Sequence, residues 1–360
     1  MEIREIRVGE LTDFLESDLY RFLDPKPITA LRAVSQCRNP RAGPDDTALI
    51  IAVEGQTLLA MAGLLPDWIA GDSSLTASSN SGWWAHPVKG RHLALPVFAR
   101  AFKCCNQRMF LTDCNSGSRK ILEKTGWFQF REPVAGMKVV FRFYLRQIAG
   151  HRYGTGIVSS LAGVADHVLN RWGIPLIHIF RRGRTKTSLT VSLAPEIDSR
   201  LGRFIEDHHK TEFAARSAAE LNWILQNKWL ETGNTPPVNY PFSHKVKRFE
   251  QMIPVVEREG KLAGLAIVNI REGHATVPCF YALPGEELSV WEALIGKLTE
   301  FKINTLTSYR EEFTNFIRKG KIAFLLIRQV ERHVAVSVDL LSLFRSHPTL
   351  QDGDGDCIFT

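Results

Sequence analysis

Residues 84–98 read W-A-H-P-V-K-G-R-H-L-A-L-P-V-F, and residues 108–128 read R-M-F-L-T-D-C-N-S-G-S-R-K-I-L-E-K-T-G-W-F. Together they predict strand, turn, helix, strand, helix. The turn Lys89-Gly90-Arg91-His92-Leu93-Ala94 follows the apolar run Trp83-Trp84-Ala85. It opens a helical stripe at Leu95, Val97, Phe98, Ala101 and Phe102. A strand-to-helix junction of this kind aims several backbone N–H groups, and the positive end of a helix dipole, at one spot. A diphosphate suits that spot. The second stretch predicts a helix that begins after Asn115 and stops at Gly126, a residue suited to the left-handed turn past a helix end.

Outward from this stretch, Ile3–Val8 alternates like an edge strand, and short helices are expected around Leu11–Arg21 and Ile28–Cys37. Ala48–Val53 and Thr57–Leu65 predict a hairpin across Glu54-Gly55. Pro66–Asn80, rich in Ser, Asp and Gly, reads as a loop. Met137–Tyr144 reads as a further strand of the same sheet. A fainter second copy follows: strand Leu189–Leu193, helices in Pro195–Glu206 and Phe213–Asn227, and a hairpin of Ile253–Arg258 and Leu262–Ile270 across Glu259-Gly260. Next come strand Ala275–Tyr281, helix Leu288–Phe301, strand Ile303–Leu306 and helix Arg310–Arg318. Ile322–Ile327 and His333–Val338 are expected to close that copy. From the start of the fifth strand to the glycine after the next helix is 18 positions in the first copy (Arg108 to Gly126) and 17 in the second (Ile303 to Gly320).

The first copy resembles the GNAT acyltransferase superfamily. The acyl-CoA loop of that family reads R/Q-x-x-G-x-G/A after a strand end. Here His86-Pro87 precedes a version one residue shorter, with Lys89 in the basic position, His92 in place of the middle glycine and Ala94 last. The family's N-x-x-A-x-x-x-Y-x-K-x-G-F falls on Asn115, Ser118, Leu122, Lys124, Gly126 and Trp127. Leu122 stands where the family often has a tyrosine that protonates the leaving thiolate. The resemblance implies an α/β (α+β) chain of two GNAT-like domains, each a mixed, mostly antiparallel twisted sheet flanked by helices. The expected division is 1–148 (acyl-CoA-binding), 149–186 (a basic amphipathic interdomain segment) and 187–360 (a degenerate second copy). The second copy's strand exit, Tyr281–Glu287, carries Glu286 and Glu287 at the helix start, which would repel a diphosphate.

The implied activity is acyl transfer (not amino-acyl transfer) from acetyl-CoA or another acyl-CoA to an amine or hydroxyl, with an amino sugar or cell-envelope precursor as the first acceptor class. The expected co-substrate contacts are Trp84, Ala85, Lys89, Gly90, Arg91, His92, Leu93, Ala94, Asn115 and Arg119. A backbone N–H near Trp84 or Ala85 would polarise the thioester. His86, Asp113 and Asn115 are the catalytic candidates: His86 as a base at neutral pH, Asp113 as base or amine ligand, Asn115 through an ordered water. Each also has a plain reading, His86 as a loop residue, Asp113 as a helix cap and Asn115 as a structural cap. Two alternatives keep the fold and change the function. One is an aminoacyl-tRNA-dependent transferase of the peptidoglycan cross-bridge type. The other is a non-catalytic acyl-CoA-binding module.

Charge is uneven. Between Lys138 and Lys186 there are nine basic residues and one acid, Asp166, so that segment carries +8 against a whole-chain +7. Such a surface fits a polyanion, either an anionic membrane or RNA. Within it Ile157, Leu161, Val164, Val168 and Trp172 share one helical face, which reads either as a helix packed in protein or as one lying on a membrane. The run is too short to span a bilayer. The six cysteines show no C-x-x-C pair and no metal spacing, and no signal peptide is evident, so a cytoplasmic protein with free thiols, in solution or at a membrane, is expected. Trp223, Trp229, Tyr240, Phe242, Ser243, His244 and Arg248 read as an aromatic–polar group of the second copy, suited to sugar contact or to core packing. Asp352-Gly353-Asp354-Gly355-Asp356 resembles the start of a calcium loop without its distant Glu. It reads as a solvated acidic tail, or as one that folds into the cleft to hold a cationic amine.

Overall fold

A computed structural model describes residues 1–69, 72–154, 156–173, 188–208, 212–233, 236–320, 324–342 and 348–360. In chain order the first elements are β1 (Glu2–Arg7), helices α1 (Leu11–Glu16), α2 (Asp18–Phe22) and α3 (Ala30–Cys37), then β2 (Thr47–Glu54), β3 (Thr57–Ile69) and β4 (Asp72–Ala85). A 3-10 turn, Arg91–Leu93, leads into α4 (Ala94–Cys104), followed by β5 (Met109–Leu111), α5 (Ser116–Thr125), β6 (Phe128–Phe130), β7 (Val134–Val140), α6 (Leu145–Tyr153) and α7 (Ile157–Val168). After β8 (Leu189–Ala194) come helices Ser199–His208 and Ala218–Gln226 and two short strands, β9 (Glu231–Thr232) and β10 (Lys245–Val246). Then follow β11 (Phe249–Arg258), β12 (Lys261–Arg271), β13 (His274–Ala282), helix Glu287–Glu300, β14 (Thr305–Ser308), helix Glu311–Arg318, β15 (Leu326–Arg332) and β16 (Ala335–Ser337).

Two seven-stranded sheets result, in orders β1-β2-β3-β4-β5-β16-β6 and β15-β7-β14-β13-β12-β11-β8. Place for place they have one topology. In each the fourth and fifth strands run parallel, β4 with β5 and β13 with β14, and the other recorded pairings are antiparallel. The expected α/β class with mostly antiparallel sheets holds.

The strand between the fifth and the last was misassigned from sequence. β7 was expected in the first sheet and β16 in the second; each lies in the other. The connector after β6 is Arg131-Glu132-Pro133. Proline fixes its own φ and keeps the preceding residue extended, so this connector suits onward travel better than a tight reversal. The compact units are interleaved accordingly: residues 1–134, 196–249 and 332–360 form one, and 135–195 and 250–331 the other. They do not follow linear boundaries at 148 and 187.

In the first unit the sheet is covered on both faces. Val97, Phe98, Ala101 and Phe102 of α4 and Leu122 of α5 pack with Ile50 and Ala52. Leu11, Phe14 and Ala33 pack with Leu49, Ile51 and Val53. The period-two alternation along β2 sends neighbours to opposite faces. Trp83 joins the first cluster and Trp84 the second, as their adjacency predicts. Of the stretch 66–80, expected as a loop, the described residues 66–69 and 72–80 are strand: β3 and β4 stay paired from Leu65↔Ser79 to Trp68↔Thr76. The hydroxyl side chains there conceal a ladder whose inner positions, Leu65, Ala77, Ser79 and Ser81, are buried. In the second unit Trp291 stacks on Phe280 at 4.4 Å, and Leu294, Leu298, Phe313 and Phe316 complete a single core over Val268, Ile270 and Val277.

Candidate functional site

β4 and β5 share only two residue pairs, Ser78↔Met109 and Ser79↔Phe110. Beyond them the strands part. A register shift against β3, between Ala62↔Trp83 and Leu64↔Asn80, marks a bulge at Ser81–Gly82. A bulge bends its strand and raises the local twist. The opening so formed has the α4 helix on one face and α3 on the other.

On the α4 face lies the turn that the sequence singled out. His86 N–H donates to Leu59 O at 2.7 Å, Gly90 N–H to His86 O at 3.0 Å and Leu93 N–H to Gly90 O at 2.8 Å. Gly90 is buried against β3: a Cβ there would fall 1.8 Å from the Leu59 carbonyl oxygen, so no other residue fits this close approach. Trp83 Nε1 donates to Ala94 O at 2.9 Å and its ring lies 4.6 Å from Phe98, which fixes the first turn of α4. Arg91 and His92 head the helical run, where helical geometry supplies no acceptor for their amides. Lys89, Arg91 and His92 are exposed and Leu93 is buried. The residues fit a diphosphate: fixed amides, a helix head and, within four positions, the exposed side chains of Lys89, Arg91 and His92.

His86 is committed differently from the expected base. Its Nδ1 accepts from the amides of Val88 at 3.2 Å and Lys89 at 3.1 Å, so the ring shapes the turn. Asn115, not Asp113, caps α5: its Oδ1 accepts from Gly117 N–H and Ser118 N–H, both at 2.9 Å. Such a cap satisfies two of the free first-turn amides. Asp113 is exposed in the link from β5 to α5, at the mouth of the opening. Arg119 is drawn to Glu123 at 2.7 Å, with its Nη1 3.0 Å from His333 Nδ1. Leu122 is fully buried in the core, so a tyrosine there would overpack it rather than reach a thiolate. Gly126 ends α5 in the left-handed conformation, as expected. Trp84 and Ala85 close β4, paired with Met61 and Ala60.

The α3 face of the opening holds groups that the sequence reading placed elsewhere. The aromatic–polar stretch 223–248 belongs to the first unit, not to the second. Arg32 of α3 donates from Nη1 to Tyr240 Oη at 2.8 Å and from Nη2 to Ser81 Oγ at 2.6 Å, with Asp356 Oδ2 3.7 Å away. Its guanidinium lies 4.1 Å from the centre of the Trp229 ring, and that ring stacks on Phe359 at 4.1 Å. Tyr240 and Trp229 are buried, so both serve packing here. The acidic stretch is neither a solvated tail nor a calcium loop. Gly355, at φ +70°, passes where β4 and β5 separate; a Cβ on it would lie 3.0 Å from Thr112 Oγ1 and 3.3 Å from Ser79 Cβ. Cys357 Sγ is 3.5 Å from Thr112 Oγ1, and Ile358 and Phe359 are fully buried. Among the described residues no cluster of three or more His, Cys, Asp or Glu is placed to hold a metal.

Buried charge anchors this segment. Arg216 donates to the carbonyls of Gly353 and Gly355 at 3.1 and 3.2 Å and lies 3.9 Å from Asp354. Arg41 pairs with both Asp67 and Glu220. Burial pushes Glu220 up, but the hydrogen bond and charge of Arg41 outweigh it, and the carboxyl falls below its ordinary range. Asp354 goes the other way: burial raises it to about 6 against the pull of Arg216. An acid with a raised folded-state pKa stabilises the fold while protonated, and that contribution is lost as pH rises through the folded value. Stability should therefore fall between about pH 4 and pH 6, by about 2–3 kcal/mol at most from this group. Urea melts across that window should show the slope, and Asp354→Asn should flatten it. An unchanged slope in the variant would assign it to other groups.

No family model matches the chain, and no curated protein matches it. Solved structures do. A conserved protein from Enterococcus faecalis V583, described as a probable N-acyltransferase, aligns over 94% of this chain and 72% of its own at TM-score 0.51 and 10% identity. A GCN5-related N-acetyltransferase from Kribbella flavida covers 93% of this chain and 70% of its own at TM-score 0.46 and 12% identity. A tandem GNAT protein from the clavulanic acid biosynthesis pathway covers 93% and 98%, at TM-score 0.46 and 12% identity. At these identities the likeness is one of fold. The chain shares the fold of the Enterococcus faecalis protein, and its two sheets repeat one topology.

Proposed function

We propose that the first unit is an acyl-CoA-dependent N-acyltransferase with an amine acceptor, an amino sugar being the first class to test. The observation that carries this is the junction at 86–94, locked by Gly90 against Leu59 and placed beside strands that part after Ser79. Acetyl-CoA or another acyl-CoA would lie on the α4 face, its diphosphate at the Arg91 and His92 amides with Lys89 adjacent. The thioester supplies the acyl group. The acceptor would enter from the α3 face, where Asp113 and Asp356 stand close enough for the charge of Asp113 to add to the burial that pushes Asp356 up. Two neighbouring carboxylates favour a bound ammonium, and a carboxyl held above its ordinary value is the stronger base once ionised. In this reading neither His86 as a base nor a water held by Asn115 is needed, since both side chains organise backbone.

A second reading is supported by the seating of 351–360 in the opening: a binding module that holds the CoA ester without turnover. Native mass spectrometry of purified protein tests the donor, and a retained CoA ester is the expected result. Steady-state assay over amines and amino sugars then separates the readings. Turnover that Asp356→Asn abolishes supports transfer; retained ester without turnover supports the module. Absence of any CoA affinity would remove both.

A further inference from the structure

We propose that α7, in the second unit, is a docking face for an anionic phospholipid bilayer. The helix is amphipathic, but its sides are reversed. The face turned into the protein is polar. Ser159 is buried on it. The Asp166 carboxylate accepts from Leu145 N–H at 2.7 Å and Arg146 N–H at 2.8 Å, capping α6. Just past the helix, Asn170 brackets Phe143, accepting from its N–H at 2.9 Å and donating to its carbonyl at 2.8 Å. The opposite face carries Ile157, Leu161, Val164, Val168 and, one turn on, Trp172, which are 80, 65, 63, 50 and 67% exposed. An aligned aliphatic row in water is unfavourable, and contiguous exposed patches of this kind mark interaction surfaces.

The charge around the row selects the occupant. Arg171, adjacent in sequence to Trp172, is exposed, as are Arg146 and Arg152 of α6, the helix before α7. Arg152 and Arg171 lie 5.6 and 5.9 Å from the rings of Tyr153 and Trp172, which are themselves exposed. Aromatic rings with cations next to an aliphatic stripe match the boundary between headgroups and acyl chains. Asp166, the one acid between 138 and 186, is turned inward. Arg181, Arg182, Arg184 and Lys186 follow in sequence and lie outside the described residues. A second copy of this face would meet like charge, and RNA would need stacking rings where the row is aliphatic. The twelve-residue helix is too short to cross a bilayer, and no helix among the described residues is long and apolar enough to do so. It would lie in the plane of the surface. The inference is independent of the acyltransferase reading.

The test is co-sedimentation of the full chain with vesicles of phosphatidylglycerol in phosphatidylcholine, against phosphatidylcholine alone. Binding is expected to the anionic vesicles, weaker to the neutral ones, and reduced in about 1 M salt, where the screening length falls to about 3 Å. Leu161→Glu with Val164→Glu should lower binding at least about tenfold. Both positions are exposed, so an unchanged melting temperature should confirm the fold. Arg152→Gln with Arg171→Gln should lower binding to anionic vesicles while leaving the apolar row intact. Equal binding to both vesicle types, or no binding to either at low salt, overturns the proposal. So does a dimer that the Leu161 and Val164 changes abolish, or salt-sensitive RNA retention without vesicle binding.

Discussion

Ala94→Asp should weaken CoA binding at least about tenfold, or about 1.4 kcal/mol, while leaving the fold intact. Ala94 is the first residue of α4 and partly exposed, and its carbonyl accepts from Trp83 Nε1. A carboxylate at a helix start is favoured by the dipole, by about 0.3–1 kcal/mol. The same charge faces the place where a diphosphate would sit, and two like charges about 4 Å apart near a surface repel by up to about 4 kcal/mol. Stability and affinity therefore move in opposite directions, which a general disruption of the fold would not produce. Calorimetric titration of CoA, read beside the melting temperature, makes the comparison. Ala94→Asn supplies the bulk without the charge and should cost less. Unchanged affinity in Ala94→Asp would move the diphosphate away from this turn.

What the sequence made legible is local. The 86–94 junction, the helix closed by Gly126 and the reversals at Gly55 and Gly260 depend on residues a few positions apart, and each stands where the pattern placed it. Asn115 was marked first as a catalytic group, with a structural cap as its alternative, and it is the cap. Asp and Asn are both good caps, and the predicted helix start after Asn115, which α5 keeps, already favoured residue 115 over 113. The assignment of elements to units was not legible. Residues 196–249 and 332–360 join the first unit through contacts between residues far apart in the chain. Arg41 meets Glu220 across 179 positions, and Arg32 meets Tyr240 across 208. Nothing in the periodicity of α3 or of helix Ala218–Gln226 names a partner that distant. The exchange of β7 and β16 is hidden for a related reason. Either strand presents the same alternating face to either sheet, so patterning fixes the face and leaves the sheet open. The α7 stripe was legible as a stripe, but which side it shows to water depends on Asp166 and Asn170, whose backbone partners are 20 to 27 residues away.

Phe359→Ala should cost about 3–5 kcal/mol of stability and separate the two faces of the opening. Phe359 is fully buried, stacked on Trp229 with ring planes 8° apart and set edge-on to Trp223 at 5.3 Å. Removing the ring leaves a cavity lined by two indoles that cannot collapse into it, which places the cost at the upper end of core truncations. Phe359→Leu keeps most of the volume and should cost about half as much or less. The functional consequence follows from which residues hold which face. Leu59, Trp83 and Phe98 hold the 86–94 turn, and none has a recorded ring contact with Phe359, so CoA affinity should change by no more than about twofold. The Arg32, Trp229 and Asp356 group leans on the Phe359 ring, so acceptor kcat/KM should fall at least about tenfold at temperatures where the variant is folded. Titration of CoA beside acceptor kinetics reads both sides at once. Equal losses on both would mean that 351–360 braces the whole sheet and shapes no acceptor site.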